Sequence, residues 1–369
     1  MNTHELALEL VQRGHVVSVL AGLSYRDMFG LGCAASALLS GQRTFFDDDL
    51  GYPVGRSRKP WLATEDVALR PDVVVVQHGE MPQIAAAFRR RGVPAVAYLH
   101  GLNFEGWALD GRPLPADALP FAGVLANSEF TAQRFRALYA ITPTVLPPIF
   151  RKERYRVETC GKNVTFINPV AMKGVQRALD IAELCPDIPF SFVRAWPLPA
   201  RQAFRLNARL GRLPNVVLRD RTSDMRDVYR DARIVLVPSQ CDETWGRVAS
   251  EAHLSGIPVV ATNRGGLPEA VGPGGILIAP DAPVDAWVAA IRRLWTDAEL
   301  YQQISAAALD YARRPLLDTE AQLDAMIAAL QQWSAPTPGW TAHHRPRPDT
   351  RGHRTAEPPT PALTSKPPC

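Results

Sequence analysis

Two carboxylates eight positions apart, Glu243 and Glu251, stand within PSQCDETWGRVASEAHLSGIPVVATNRGGLPEAVGPGGILI (238–278). An apolar strand ends at Pro238-Ser239, a loop carries Glu243, and Glu251 falls on the helix that follows. Carboxylates so placed can both face the carboxyl-end crevice of a parallel sheet, where open α/β sheets bind ligands. There they would take sugar or ribose hydroxyls through charge-assisted hydrogen bonds. As an isolated pair they would read as helix-end charges; the glycines and proline around them favour a site. Upstream, INPVAMKGVQRAL (167–179) ends a strand, turns, and opens a helix at Lys173-Gly174. A helix amino end beside an ammonium group suits an anion. Five of the 41 basic residues are lysine, so a lysine in that place carries weight. Weaker signals come earlier. His78 and His100 end the runs DVVVVQ and AVAYLH, and Asn127-Ser128 end GVLANS (123–128). A histidine there is often a structural hydrogen-bonder, and Asn-Ser equally reads as a strand-to-helix cap.

Positioning these groups takes a layered scaffold. VVSVLAG (16–22), DVVVVQ (72–77), AVAYLH (95–100) and GVLANS (123–128) read as buried strands. In the second half VTFIN (164–168), FSFVRAW (190–196), NVVLRD (215–220), RIVLVPS (233–239) and IPVVAT (257–262) repeat the theme. Helical patterns lie between them: 82–91, 130–140, 175–185, 224–232 and 246–255. Near-continuous apolar strands alternating with helices mean parallel sheets covered on both faces. The expected fold is α/β, two doubly wound Rossmann-like domains facing a cleft, and a length of 369 residues favours two domains. The expected boundaries are 1–150 for an acceptor-side domain and 151–315 for a donor domain. A helix at 316–334 would pack back across the hinge, and 335–369 would be a disordered proline-rich tail. THELALELVQRGHVVSVL reads as the first helix and second strand of a doubly wound unit. Its first strand and glycine loop are expected upstream of Met1, between VVSVLAG and DVVVVQ in the sheet.

The stretch from Glu243 resembles the family 4 nucleotide-sugar glycosyltransferases, which have the GT-B fold. The Glu-x7-Glu pattern and its setting appear as Glu243, Trp245, Gly246, Glu251, Ala252, Gly256, Pro258, Val259, Val260, Ala261, Thr262, Gly265, Gly266 and Glu269. The resemblance extends over roughly 3–315. It implies that Glu243 contacts the donor sugar, that Glu251 binds ribose hydroxyls, and that Lys173-Gly174 neutralise the leaving diphosphate. His100 would approach the sugar and its phosphate. The implied donor-binding set is Glu251, Asn168, Gly174, Arg247, Gly246 and Thr244, with His78, Asn127 and Ser128 on the acceptor side. The family's usual arginine five residues before the lysine is Asn168 here, and Arg247 would bring the missing charge. The implied reaction is metal-independent transfer, with retention, of a hexosyl group from a nucleotide-diphospho-sugar to a glycan or lipid-linked acceptor. A role in cell-surface polysaccharide synthesis goes with it. A non-catalytic sugar-nucleotide-binding relic and a GT-B-fold epimerase are the competing readings.

Composition removes other classes. The net charge is +4, three of it in the last 35 residues, so a large nucleic-acid face is not expected. Five scattered cysteines (33, 160, 185, 241, 369) form no C-x-x-C pair, which argues against a zinc knuckle or disulfide framework and for a reduced cytoplasmic setting. No apolar run reaches the length of a membrane span, and the amino end has no basic leader region. Asp47-Asp48-Asp49 contains a D-x-D but reads as a solvated loop rather than a metal site. Arg89-Arg90-Arg91 suits a helix carboxyl end and equally a peripheral contact with anionic lipid.

Overall fold

The computed structural model describes residues 2–23, 28–39, 41, 44–64, 71–109 and 112–334. The tail expected to be disordered, with His343, His344 and His353, lies outside the described residues.

The second half holds a six-stranded parallel sheet. To number its strands, the first half is taken first. There β1 (Val19–Gly22), β2 (Thr44–Asp47) and β3 (Val54–Ser57) form one sheet, in the order β1-β3-β2. A second, wholly parallel sheet runs β4 (Val74–Val76), β5 (Ala95–Leu99), β6 (Gly123–Ala126) and β7 (Thr144–Val145). The carboxy-terminal sheet comprises β8 (Asn163–Ile167), β9 (Phe190–Val193), β10 (Val216–Arg219), β11 (Ala232–Val237), β12 (Val259–Thr262) and β13 (Gly275–Ile278). Its order is β10-β9-β8-β11-β12-β13. This is the 3-2-1-4-5-6 order of a doubly wound fold, with its switch point between β8 and β11.

Alternation along the buried strands builds two cores. Ile234 and Leu236 of β11 pack with Val164, Phe166, Leu179, Trp287 and Ile291 on one face. Val235 and Val237 pack with Trp245, Ala249, Val259 and Leu267 on the other. Successive side chains point to opposite faces, so an unbroken apolar run serves both layers. Each fully buried valine or leucine contributes ~1.5–3 kcal/mol. Helices α5 (Val175–Leu184), α7 (Arg247–His253), α8 (Leu267–Val271) and α9 (Val284–Thr296) supply the covering faces. The 224–232 segment forms a single helical turn, Arg226–Tyr229.

The first half differs from the expected single sheet. β1 pairs with β3 and belongs to the separate three-stranded sheet, in which β2 runs antiparallel to β3. Among the described residues no ladder joins β1 to β4. Helix α1 (Asn2–Gln12) lies between the two sheets and serves both. Leu6 and Leu10 pack with Val96, Tyr98 and Leu125 of the parallel sheet. Ala7, Leu8 and Val11 pack with Val19, Tyr52 and Val54. The i, i+4 spacing of each set separates two apolar faces on one helix. The remaining labelled helices are α2 (Met28–Leu39), α3 (Met81–Arg90), α4 (Glu129–Tyr139), α6 (Ala200–Leu210), α10 (Ala298–Ala312) and α11 (Thr319–Ser334). Leu323, Met326 and Leu330 of α11 pack onto Leu6, Val96, Tyr98 and Leu125 of the first half.

Candidate active site

The groups singled out near the switch point converge there. After β8 the chain passes Asn168, makes a short turn at Ala171–Lys173, and enters α5 through Gly174. Gly174 has φ +82°, and a Cβ on it would lie 1.9 Å from the Pro238 carbonyl oxygen. The lysine is thereby pressed against the end of β11, where the Glu243 loop begins. Lys173 Nζ is 2.7 Å from Glu243 Oε1. The Ser239 hydroxyl donates to the same oxygen at 2.5 Å. The Glu243 backbone is held from below: Gly266 N–H donates to its carbonyl at 2.6 Å. Gly265, at φ +61°, lies where a Cβ would meet Glu243 O at 2.5 Å. An ammonium and a carboxylate, both partly exposed, thus stand together where the strand order reverses. The first can meet an anion and the second can orient hydroxyls.

The parallel sheet of the first half closes on this loop. His100 follows β5, with the Tyr98 ring 4.0 Å and the His78 ring 5.8 Å from its own. Burial, helped by His78 and Arg247, lowers the His100 pKa to about 3, so the imidazole is neutral over the physiological range. His78 is exposed at the end of β4. Thr244, expected to bind donor, joins the halves. Its hydroxyl donates to the His100 carbonyl and accepts from Asn127 Nδ2, both at 2.9 Å. Asn127 is buried, and its Oδ1 accepts from the Thr131 hydroxyl at 3.0 Å. Ser128 is the α4 cap, its hydroxyl oxygen accepting from Thr131 N–H at 3.0 Å. Glu269 reaches across to the same helix end and accepts from Glu129 N–H at 2.9 Å, where the helix dipole favours negative charge.

Three expected donor contacts are placed differently. Glu251 does not open onto the crevice; it is 4% exposed. Tyr229 O–H donates to its Oε2 at 2.8 Å and Arg247 Nε to its Oε1 at 3.2 Å. Burial pushes its carboxyl pKa up, opposed by Arg247 and Tyr229. Arg247 has further partners. Its guanidinium also donates to Glu5 Oε2 and to the Tyr155 hydroxyl oxygen, both at 2.9 Å, and lies 4.6 Å from the Phe150 ring centre. Two carboxylates lie against this partly exposed guanidinium. Asn168 adopts φ +67° and is 5% exposed. Its Oδ1 accepts from Trp196 N–H at 3.2 Å, so it shapes the loop after β9. Gly246, at φ +99°, starts α7, and a Cβ there would meet Leu267 at 2.5 Å.

Asp47 is also corrected. It ends strand β2 and forms a part-buried ion pair with Arg56, while Asp48 and Asp49 are exposed. Among the described residues no group of three His, Cys, Asp or Glu side chains is arranged to hold a metal ion. Arg89 and Arg90 are exposed at the end of α3. No helix among the described residues is long and apolar enough to cross a membrane. Sequence reasoning missed Ser239, Glu5, Tyr155 and Tyr229. Ser239 has a signal, its place at the end of β11. Glu5 has none, since its partner is 242 positions away.

A doubly wound sheet of order 3-2-1-4-5-6, facing a smaller parallel sheet at its carboxyl ends, defines the GT-B class of glycosyltransferase fold. Residues 2–154 match the model for Glycosyltransferase Family 4, and residues 161–297 match the model for Glycosyl transferases group 1. Together they take in well over half of the chain, which belongs to this glycosyltransferase family. The D-inositol 3-phosphate glycosyltransferase of Corynebacterium kroppenstedtii is 42% identical over 93 residues, 25% of this chain and 20% of that protein. The match thus spans about a fifth of the relative's length. Among solved structures, Anabaena Alr3699/HepE in complex with UDP-glucose superposes with a TM-score of 0.67 at 18% identity, covering 85% of this chain and 99% of that one. Sucrose-phosphate synthase from Thermosynechococcus elongatus gives 0.67 at 16% identity, covering 89% and 91%. At such identities the likeness is one of fold.

Proposed function

We propose that this protein transfers a hexosyl group, with retention, from a nucleotide-diphospho-sugar to an acceptor hydroxyl. The observation that carries the reading is the Lys173–Glu243 pair at the switch point, 2.7 Å apart. As the bond between the sugar's anomeric carbon and the diphosphate oxygen breaks, negative charge grows on the leaving group. Lys173 meets that charge in place of its contact with Glu243. Glu243, freed to accept from sugar hydroxyls, fixes the ring. The acceptor oxygen bonds to the anomeric carbon from the face the diphosphate leaves, and its proton passes to the departing phosphate oxygen. His100, neutral beside the loop, exchanges hydrogen bonds rather than protons. A UDP-sugar is the first donor to try, since UDP-glucose is bound in the HepE structure. A glycan or lipid-linked acceptor and a cytoplasmic setting complete the reading, with Arg89 and Arg90 available to anionic lipid.

A panel of nucleotide sugars, with and without acceptors and EDTA, tests it. Acceptor-dependent nucleotide release with the anomeric configuration kept is expected, undiminished by EDTA because the charge on the diphosphate is met by Lys173. Manganese-dependent turnover would overturn the mechanism. A second reading, binding without turnover, is favoured by one observation: Asn168, at the family's usual arginine position, is uncharged, and Arg247, the cation expected to add to the Lys173 charge, pairs with Glu5 and Glu251. Donor binding with no release to any acceptor would decide for it.

A further inference from the structure

Trp196 is 51% exposed, although tryptophan is a large apolar side chain. It stands just past the carboxyl end of β9, the strand next to β8. Its ring centre is 5.7 Å from Lys173 Nζ, and the neighbouring Met172 is 47% exposed. The loop that presents it is restrained. Trp196 N–H is held by Asn168 Oδ1 at 3.2 Å, and Pro197 follows, which limits Trp196 to extended backbone. Asn168 is tied in turn by its N–H to the Val193 carbonyl at 2.8 Å. An indole kept open to solvent by a restrained loop is a preorganised flat surface.

The sheet order decides what would lie on it. Along the carboxyl edge, β9, β8 and β11 are consecutive neighbours. They present Trp196, Lys173 and Glu243 in that order, over a width of about 10 Å at ordinary strand spacing. In a nucleotide-diphospho-sugar the nucleoside, the diphosphate and the sugar also follow in that order. With Glu243 on the sugar and Lys173 on the diphosphate, Trp196 falls on the nucleoside side. We infer that Trp196 is a donor-binding residue, a stacking platform for the nucleobase of the donor. The inference rests on the glycosyl-transfer reading for the placing of the other two groups. Every base has a π-face, so a lone platform would hold the nucleobase without choosing strongly among bases.

The test compares wild type, Trp196→Ala and Trp196→Phe in calorimetric titrations with UDP, UDP-glucose and inorganic pyrophosphate. Trp196→Ala should weaken UDP and UDP-glucose alike, by roughly 5- to 150-fold, the range that base–aromatic stacking gives on alanine substitution. Pyrophosphate should bind as before, and Trp196→Phe should restore most of the UDP affinity. UDP affinity unchanged in a folded Trp196→Ala protein would overturn the platform alone. So would an equal loss for pyrophosphate, which would make Trp196 a support for Lys173. A loss for UDP-glucose without one for UDP would put the sugar on the ring and overturn it too. If wild type itself binds none of the three, a UDP-sugar donor is excluded and the platform is overturned with it.

Discussion

Lys173 and Glu243 neutralise one another in the structure at 2.7 Å. A diphosphate would compete for the lysine, and its pull grows as the glycosidic bond breaks. Lys173→Ala should therefore lower kcat by ~10²–10³-fold, the usual cost of removing one preorganised donor to a developing charge. Donor affinity should fall far less, which single-turnover and equilibrium binding measurements separate. An unchanged kcat with a raised KM would make Lys173 a ground-state contact. Both residues were legible because each sits beside the strand end that places it. The partners of Arg247 were not legible, for the complementary reason. Sequence neighbourhood put it near Glu243, but a long side chain goes where its counter-charges are, and these are Glu251 and Glu5.

At the scale of elements, two glycine turns set the loops. The Gly174 turn lies against Pro238, just past β11, and the Gly265-Gly266 turn lies against the backbone of Glu243 and Thr244. Gly174→Ala would put a methyl 1.9 Å from the Pro238 carbonyl in a left-handed conformation. Such a conformation alone costs a non-glycine residue ~1–3 kcal/mol. The variant should lose at least that much stability in urea and bind donor more weakly, because the turn must shift and carry Lys173 with it. Full stability with intact binding would mean that the loop tolerates displacement. In the second half β9, β11 and β12 were readable because burial on both faces makes each an apolar run. β1 and β4 are apolar runs too, though only partly buried, and nothing in their composition told which sheet each would join.

At the scale of the molecule, Glu5, Tyr155, Arg247, Glu251 and Tyr229 form one buried network between α1 and the second half. Arg247→Ala would leave two carboxylates buried without their shared cation. Removing one partner of such a set costs ~3–5 kcal/mol. Denaturant melts should register this loss. Had Arg247 served the diphosphate instead, turnover would fall with stability intact. Two histidines, His253 buried and His100 largely shielded, add a pH dependence. Burial lowers His100 to about 3 and His253 to about 4, from an ordinary 6.5. Between those values and 6.5 the unfolded chain binds the extra proton, so stability is present above about 6.5 and is lost as pH falls. Each contributes a loss of about 2 kcal/mol from pH 7 to pH 5. His253→Gln, which keeps a donor for the Gly274 carbonyl now 3.1 Å from Nε2, should remove about that much of the difference. An unaltered pH slope would mean that His253 already carries a proton in the fold.

What the amino-acid sequence determined by itself was local. The second-half strands, their connecting helices, the Lys173-Gly174 turn and the Glu243 loop each follow from periodicity and turn chemistry over a few residues. From these came the α/β class, and with the Glu-x7-Glu setting the family. The tertiary structure decided which carboxylate meets the crevice. Glu243 and Glu251 are eight residues apart on the same segment, yet one is partly open beside Lys173 and the other is sealed behind Arg247 and Tyr229. The difference comes from Glu5, Tyr155 and Tyr229, which approach from distant stretches of chain. A buried charge is settled by whatever partners reach it, and those partners are fixed only when the layers have packed.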